Sequence, residues 1–255
     1  MKRLLLVSFL FLTSYESVTA QNLEFFGIIP SLSQTGRISK RFNYNFFASE
    51  TIDLTNRVID GVSYPAKPLQ LYVQPSVIYV HSANLNFAVS VTYNYQRSNP
   101  DIPYFREWRS WQQIIYSHKL TNGRVTHRLR FEQRFIKNVK TGNSPMTTRL
   151  RYQLGFSKPL QGIQLDPGEF YFNCYDEAYF TLTVPPGTVR NALYSENWAY
   201  AGIGYQTKKI GRVEVGPLLQ FNVRDVEQDL RNLYLLQVTW ITNFNLPVKK
   251  KIINQ

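Results

Sequence analysis

Charged residues recur at every second position in several segments of the chain, where they could form ion pairs or bind anions. The set comprises Glu107, Arg109, Arg128, Arg130, Glu132, Arg134, Arg149, Arg151, Glu177, Glu214 and Arg224. Because successive side chains of a β-strand point to opposite faces, residues two apart share one face. An unpaired ion is very costly in a protein interior. The pattern predicts either an interior ion-pair network or an arginine-lined path for anions, and the interleaved glutamates favour the network.

Two histidines, His118 and His127, flank a predicted hairpin turn and raise the question of catalysis. With Ser117 or Glu107 nearby, an esterase site or a metal site is conceivable. A catalytic triad needs its nucleophile, base and acid in contact, but Ser117 alternates to the other face from His118. A zinc site needs at least three ligands, and only these two histidines converge. We therefore expect interfacial histidines, with no catalytic residue, no metal and no cofactor.

Eleven candidate strands would position these residues. They span residues 23–34, 40–52, 69–81, 85–97, 106–119, 125–137, 146–158, 168–182, 196–207, 212–224 and 231–245. All of them exceed the about 5–6 residues usual in soluble proteins and reach the about 9–11 that a tilted membrane-spanning strand needs. Outer-membrane barrels have an even number of strands, so we expect about 12 strands, with 10 as the alternative. The missing strand is expected within residues 21–34.

Alternation gives these strands one apolar and one polar face. Phe87 and Val89 share a face of the strand at 85–97, and Asn86 and Ser90 lie on the other face. A soluble sandwich or lipocalin-like barrel would bury the apolar face, whereas a membrane barrel exposes it to lipid. The long strands, the aromatic residues near strand ends and an export signal favour the membrane barrel. The predicted fold is an all-β, closed antiparallel up-and-down β-barrel that is transmembrane and encloses the charged set.

Turn residues predict the pairing of two hairpins. Asn122-Gly123 is a strong signal for a two-residue turn, because both positions tolerate a positive φ. A three-residue loop around Ala83 pairs Val77 with Val89.

Prolines and glycines inside candidate strands predict local irregularity. Pro75 and Pro217 each remove a ladder hydrogen bond, which predicts a bulge or a sheet edge. Gly202 and Gly204 lie inside another strand and indicate a place where side chains must be small.

The first twenty residues have the pattern of a secretory signal peptide: a basic start, the apolar stretch Leu4–Leu12, and small residues before a cleavage site after Ala20. The apolar stretch is shorter than the about 20 residues of a membrane-spanning helix. A buried N-terminal helix or strand is the alternative. We expect a signal peptide at 1–20, a barrel domain at 21–247 and a basic tail at 248–255.

The net charge of +12 favours contact with anionic surfaces. The sequence has neither zinc-ligand spacing nor a compact basic cluster apart from residues 249–251, so we expect no nucleic-acid partner. The expected partners are outer-membrane lipids and, during biogenesis, the barrel-insertion machinery. We expect a monomer in the cell outer membrane. The single cysteine, Cys174, excludes an internal disulfide.

Several short motifs resemble a family of bacterial outer-membrane proteins, domain-of-unknown-function family 2490. The motifs lie at Glu107–Arg109, Arg128–Arg134, Arg149–Tyr152, Tyr200–Tyr205 and Glu214–Gln220. The resemblance implies an outer-membrane barrel of unassigned activity over nearly the whole exported chain. It supplies no catalytic residues.

The sequence therefore favours a non-catalytic outer-membrane barrel with a structural or small-solute transport role and an interior lined by Arg and Glu. A lipid-modifying outer-membrane enzyme, similar to a deacylase or phospholipase, is the first alternative. It would require a serine, a histidine and an acid to converge near one rim. A soluble periplasmic binding barrel is the second alternative.

Overall fold

The computed structural model describes residues 23–59, 62–97, 103–223 and 229–244, which form strands and their connections. The strands of these residues are β1 (Leu23–Arg37), β2 (Phe42–Asp53), β3 (Arg57–Ile59), β4 (Val62–Tyr64), β5 (Pro68–Val80), β6 (Leu85–Gln96), β7 (Phe105–Leu120), β8 (Gly123–Ile136), β9 (Met146–Pro159), β10 (Phe170–Thr181), β11 (Tyr194–Gln206), β12 (Arg212–Val223) and β13 (Leu230–Thr242). None of the described residues forms a helix with the length and apolarity that crossing a membrane requires.

Eleven of the described strands close into a barrel, while β3 and β4 form a separate two-stranded hairpin in the connection between β2 and β5. Each barrel strand pairs antiparallel with the next barrel strand along the chain. The first and last strands, β1 and β13, pair in parallel and close the sheet. An odd number of strands that alternate in direction leaves the first and last strands parallel, so the parallel pair follows from the strand number.

The prediction of an all-β closed barrel is confirmed, and each candidate strand overlaps one barrel strand. The expectation of about 12 strands in a wholly antiparallel barrel was wrong, because the described residues supply eleven barrel strands. Residues 23–37 form one uninterrupted strand, so the additional strand expected there does not form.

The pairing of two hairpins was predicted with mixed success. Val77 pairs with Val89, as predicted from the loop around Ala83. Leu120 pairs with Gly123, so the β7–β8 turn comprises residues 121–122, one position earlier than predicted. This difference changes the pairing by two residues, which keeps every side chain on its predicted face.

Prolines and glycines mark local adjustments of the sheet. The β5–β6 ladder stops after Val73 and resumes at Ser76, on either side of Pro75. A Cβ at Gly204 would lie 2.1 Å from the ring of Tyr171. The absence of a side chain at Gly204 therefore leaves space for the tyrosine ring. This agrees with the prediction that side chains must be small at this position.

The two faces of the sheet are inverted relative to a soluble protein. Glu107 and Glu132 are 0% exposed, whereas Phe87 is 38% and Val89 is 53% exposed. Buried polar side chains occur on most strands of the barrel, including Ser90 on β6. Because the polar face is enclosed and the apolar face points outward, the prediction about side-chain orientation is confirmed.

One part of the interior is apolar. It is a cluster of buried side chains comprising Phe25, Ile29, Leu69, Tyr200, Leu218, Leu233 and Leu235. These residues belong to β1, β5, β11, β12 and β13. In the circular order of the barrel, β1 lies opposite β8 and β9, which carry most of the charged set.

Candidate functional site

Three adjacent strands bring the charged set together through their register. Arg130 on β8 pairs with Gln113 on β7 and with Arg151 on β9. Glu132 pairs with Trp111 on β7 and with Arg149 on β9. Since paired residues on neighbouring strands project to the same face, their side chains meet inside the barrel.

Glu107 holds two arginines. Its carboxylate accepts hydrogen bonds from Nε and Nη2 of Arg109 at 2.5 and 2.9 Å. It also accepts from Nε and Nη2 of Arg134 at 2.5 and 3.1 Å. Paired N–H groups on a carboxylate form the strongest class of side-chain hydrogen bond, which explains how Glu107 remains fully buried.

Glu132 holds two further arginines. Arg149 donates from Nε and Nη2 at 2.9 and 2.7 Å, and Arg151 donates from Nη1 at 2.8 Å. Arg151 also donates from Nε and Nη2 to Glu177 at 2.8 and 2.9 Å. Glu177 in turn accepts from Nη2 of Arg128 at 2.7 Å. These bonds make one continuous chain of alternating charges across β8, β9 and β10.

Glu196 was not among the residues predicted from the sequence, and it extends this chain of alternating charges. Its Oε2 accepts from Nη1 of Arg149 at 3.0 Å, and its Oε1 accepts from Nε1 of Trp198 at 2.6 Å. Glu196 is the third residue of β11 and shares the inward face with Trp198 and Tyr200. That alternation was the available signal, but its arginine partner lies on β9, which is not a sequence neighbour of β11.

Two aromatic rings support the arginines. Tyr179 is 1% exposed, and its ring centroid lies 4.7 Å from Cζ of Arg149 and 4.3 Å from Cζ of Arg151. The ring of Trp111 lies 4.0 Å from Cζ of Arg130. Such cation–π contacts stabilise a desolvated guanidinium, and they fix the plane in which its N–H groups point.

Arg130 is the least neutralised arginine of the group. It is 4% exposed, and its nearest carboxylate contact is Glu132 at 3.8 Å. Its hydrogen bonds go to the neutral acceptors Gln113 at 2.9 Å and Gln74 at 3.2 Å. Nearby, Nε of Arg128 is buried and has no hydrogen-bond partner among the described residues. This part of the wall therefore offers positive charge and a free donor.

One described member of the predicted set, Glu214, lies elsewhere. Glu214 is buried, but its oxygens accept from Nδ2 of Asn173 at 3.0 and 3.1 Å, away from the arginines of β8 and β9. Arg224 lies outside the described residues. The other nine predicted residues meet as described above, and Glu196 joins them.

We call the six arginines of this group the arginine wall; they are Arg109, Arg128, Arg130, Arg134, Arg149 and Arg151. Their carboxylate partners among the described residues are Glu107, Glu132, Glu177 and Glu196. With all of these groups ionised, six positive charges face four negative charges. The wall therefore carries a net positive charge.

A cavity of about 1040 Å³ lies beside the arginine wall inside the barrel, and all six arginines line it. The charged group thus forms a side of the lumen and leaves space next to it. Val184, Thr188 and Asn191, from the connection between β10 and β11, also line the cavity. This connection therefore lies at the mouth of the cavity.

The histidines are separated from the interior. Ser117 is buried on the inward face of β7, where its Oγ lies 3.0 Å from Oγ1 of Thr126. The rings of His118 and His127 stack at 5.7 Å, and Nδ1 of His127 lies 2.8 Å from the Tyr152 hydroxyl. Tyr152 is exposed on the outer face. The sheet therefore separates Ser117 from the two histidines.

Comparison with known proteins identifies one family. A family described as "Protein of unknown function (DUF2490)" matches residues 27–231, which include every strand from β2 to β12. No curated protein and no solved structure matches this chain.

Proposed function

We propose that this chain, which belongs to the DUF2490 family of proteins of unknown function, is a non-catalytic outer-membrane barrel that passes small anionic solutes. The observation that carries the proposal is a cavity of about 1040 Å³ beside a wall of six arginines, inside a barrel whose outer face is apolar. Interior and exterior each support one part of this proposal.

The outer surface supports placement in a bilayer. Exposed aromatic side chains occur near both ends of the strands. At the end where β1 begins they are Phe26, Tyr95, Trp108, Phe135 and Tyr194, and at the other end they are Phe42, Phe87, Phe170, Tyr205 and Trp240. Aromatic belts at both interfaces are typical of outer-membrane barrels.

The spacing of these belts fits a bilayer. Phe87 and Tyr95 lie eight residues apart on β6. At a rise of about 3.3 Å per residue and a tilt of about 40°, this separation spans roughly 20 Å along the barrel axis. Between them, Val89 and Val91 are more than half exposed, at 53% and 57%. Lipid contact accounts for such an apolar band on a folded surface, whereas water contact does not.

The interior supports preference for anions. Fixed positive charge in a low-dielectric enclosure attracts anions and repels cations. Rings of Arg or Lys are the usual means by which pores select anions. Ion pairs with glutamates hold the arginine side chains in place along the wall. Arg130 and Arg128 can still interact with a passing anion.

Ion selectivity in planar bilayers tests the proposal. We expect the protein purified from membranes to give conductance in phosphatidylcholine bilayers. Its reversal potential in a KCl gradient should show a preference for chloride over potassium. Arg130→Gln should reduce this preference, and Arg106→Gln, on the exposed face of β7, should leave it unchanged. A folded, inserted barrel that shows cation preference, or no conductance, would contradict the proposal. Heat-modifiable migration on a gel establishes that each variant is folded.

A further inference from the structure

The cavity beside the arginine wall has a second, apolar side. Ile29, Leu69, Leu233 and Trp198 line the same cavity, and we call these four residues the apolar wall. The three aliphatic side chains are 5%, 2% and 3% exposed and belong to the buried apolar cluster, against which Trp198 packs. The side chains of the apolar wall are therefore held in place by packing against the buried cluster.

The order of strands places Ile29 on β1 and Leu233 on β13 across the barrel from the arginine wall. The apolar wall belongs to β1, β5, β13 and β11, and the arginine wall belongs to β7, β8 and β9. Going around the barrel, β1 is separated from β8 and β9 by four or five strands on either side. A molecule in the cavity consequently meets guanidinium groups on one side and aliphatic groups on the other.

Such an apolar wall does not assist the passage of small hydrated ions. A hydrated inorganic anion gains nothing by contact with Ile29 and Leu233, since burial there removes no apolar surface of its own from water. An aliphatic chain gains free energy for every methylene group it buries. The cavity combines this surface with guanidinium groups that match a carboxylate.

We infer that the ligand of this cavity is an amphiphilic organic anion, such as a medium-chain aliphatic carboxylate, with its charged group at Arg130 and Arg128 and its chain along the apolar wall. This inference rests on the proposed function and names its substrate class. Arg130 lies desolvated with neutral hydrogen-bond partners, and Arg128 has a buried Nε without a described partner. An incoming carboxylate supplies an ionised acceptor to Arg130 and a hydrogen-bond acceptor to Nε of Arg128.

The interior tryptophans provide a direct readout of binding. Trp111 contacts Arg130, and Trp198 belongs to the apolar wall, whereas Trp108 and Trp240 are exposed on the outer face. In the variant Trp108→Phe/Trp240→Phe, fluorescence therefore reports from inside the barrel. Bromine quenches tryptophan at close range, so a brominated ligand that enters the cavity lowers the signal. The protein is placed in nanodiscs of zwitterionic phosphatidylcholine.

Three probes separate the contribution of the ligand's negative charge from that of its aliphatic chain. 8-Bromooctanoate carries both, 3-bromopropionate carries the charge with a short chain, and 8-bromooctan-1-ol carries the chain without the charge. Burying one methylene group is worth a factor of about 3 to 4 in affinity. We expect saturable quenching by 8-bromooctanoate with a Kd about tenfold or more below that of either other probe. Arg130→Gln should raise this Kd about tenfold, and Arg106→Gln should leave it unchanged.

The outcomes distinguish the inference from the proposed function. Equal binding of 8-bromooctanoate and 3-bromopropionate, together with chloride-selective conductance, would overturn the amphiphile and leave the anion barrel standing. Equal binding of the acid and the alcohol would overturn recognition of the charged group. Absence of quenching by any probe would overturn the inference, and absence of anion conductance as well would remove the proposed function with it. If Arg130→Gln does not fold, the three probes on the parent protein still decide.

Discussion

Arg149 on β9 donates two hydrogen bonds to the same carboxylate oxygen of Glu132 on β8, at 2.9 Å from Nε and 2.7 Å from Nη2. The two residues are direct register partners, so the sheet itself holds them face to face. Glu132 also accepts from Arg151, which makes it the central carboxylate of the chain of alternating charges. The single negative charge of Glu132 thus offsets part of the positive charge of two buried arginines, Arg149 and Arg151.

Replacing this carboxylate should destabilise the barrel severely. Glu132→Gln keeps the shape of the side chain but removes the negative charge, leaving Arg149 and Arg151 in the interior with less compensation. Removing one partner of a buried ion pair costs about 3–5 kcal/mol. Equilibrium unfolding by urea in lipid vesicles measures the loss. The exposed Glu24 on β1 provides the control, because Glu24→Gln should change stability by less than about 0.5 kcal/mol. Similar effects of the two substitutions would contradict the central role of Glu132.

Two arginines of the same wall should differ in what they contribute. All three nitrogens of the Arg151 guanidinium donate, to Glu132, Glu177 and the Tyr179 hydroxyl. Arg151→Gln should therefore cost about 3–5 kcal/mol in unfolding free energy. Arg130 bonds only neutral acceptors at hydrogen-bond distance, so Arg130→Gln should cost about 1 kcal/mol while it alters ion selectivity. The same urea titration compares them, and the reverse order of stabilities would refute the distinction.

Much of this site could be predicted because alternation is a local property. Once 106–119, 125–137 and 146–158 are predicted as strands, side chains must alternate between the two faces of each strand. This alternation places Arg109, Arg130 and Arg151 on the same side as Glu107 and Glu132. Neither the exact turn nor the number of strands is needed for that result. The two-residue difference in the β7–β8 pairing, for example, changes which residues are partners but leaves their faces unaltered.

The contacts that were missed depend on the closed sheet as a whole. Glu196 meets Arg149 across two strand pairings, and Glu214 faces Asn173 because β12 lies away from β8 and β9 in the barrel. These distances follow from the strand number and the stagger of the strands, which no short segment determines. The parallel closure of β1 on β13 joins the two ends of the sequence and has no local signal either.

Tyr171 and Gly204 should behave as a coupled pair. A Cβ at position 204 would lie 2.1 Å from the Tyr171 ring, so Gly204→Ala must displace that ring and should cost about 1–3 kcal/mol. With Tyr171→Ala already present, the added methyl group has space, and the cost of Gly204→Ala should largely disappear. A double-mutant cycle in urea measures this coupling.

A glycine on β9, Gly155, supplies the comparison for that cycle. A Cβ at Gly155 would meet its nearest neighbour at 3.7 Å, an ordinary contact, so Gly155→Ala should have little effect on the unfolding free energy. Additive effects of Gly204→Ala and Tyr171→Ala, or an equal loss at Gly155, would show that the ring does not require the glycine.

The outward face of β6 offers the sharpest test of membrane placement. Val91 is 57% exposed and lies near the middle of its strand, where a lipid-facing position is farthest from water. If the barrel spans a bilayer, Val91→Arg should lower the unfolding free energy in vesicles by about 2–4 kcal/mol, because a charged side chain at that depth loses its hydration. Leu120, 49% exposed at the end of β7, is the matched position near the interface, where Leu120→Arg should cost about 0–1 kcal/mol. On a water-facing surface both substitutions would be nearly neutral. The depth dependence therefore decides between lipid and water, and equal small effects at both positions would exclude a bilayer around this barrel.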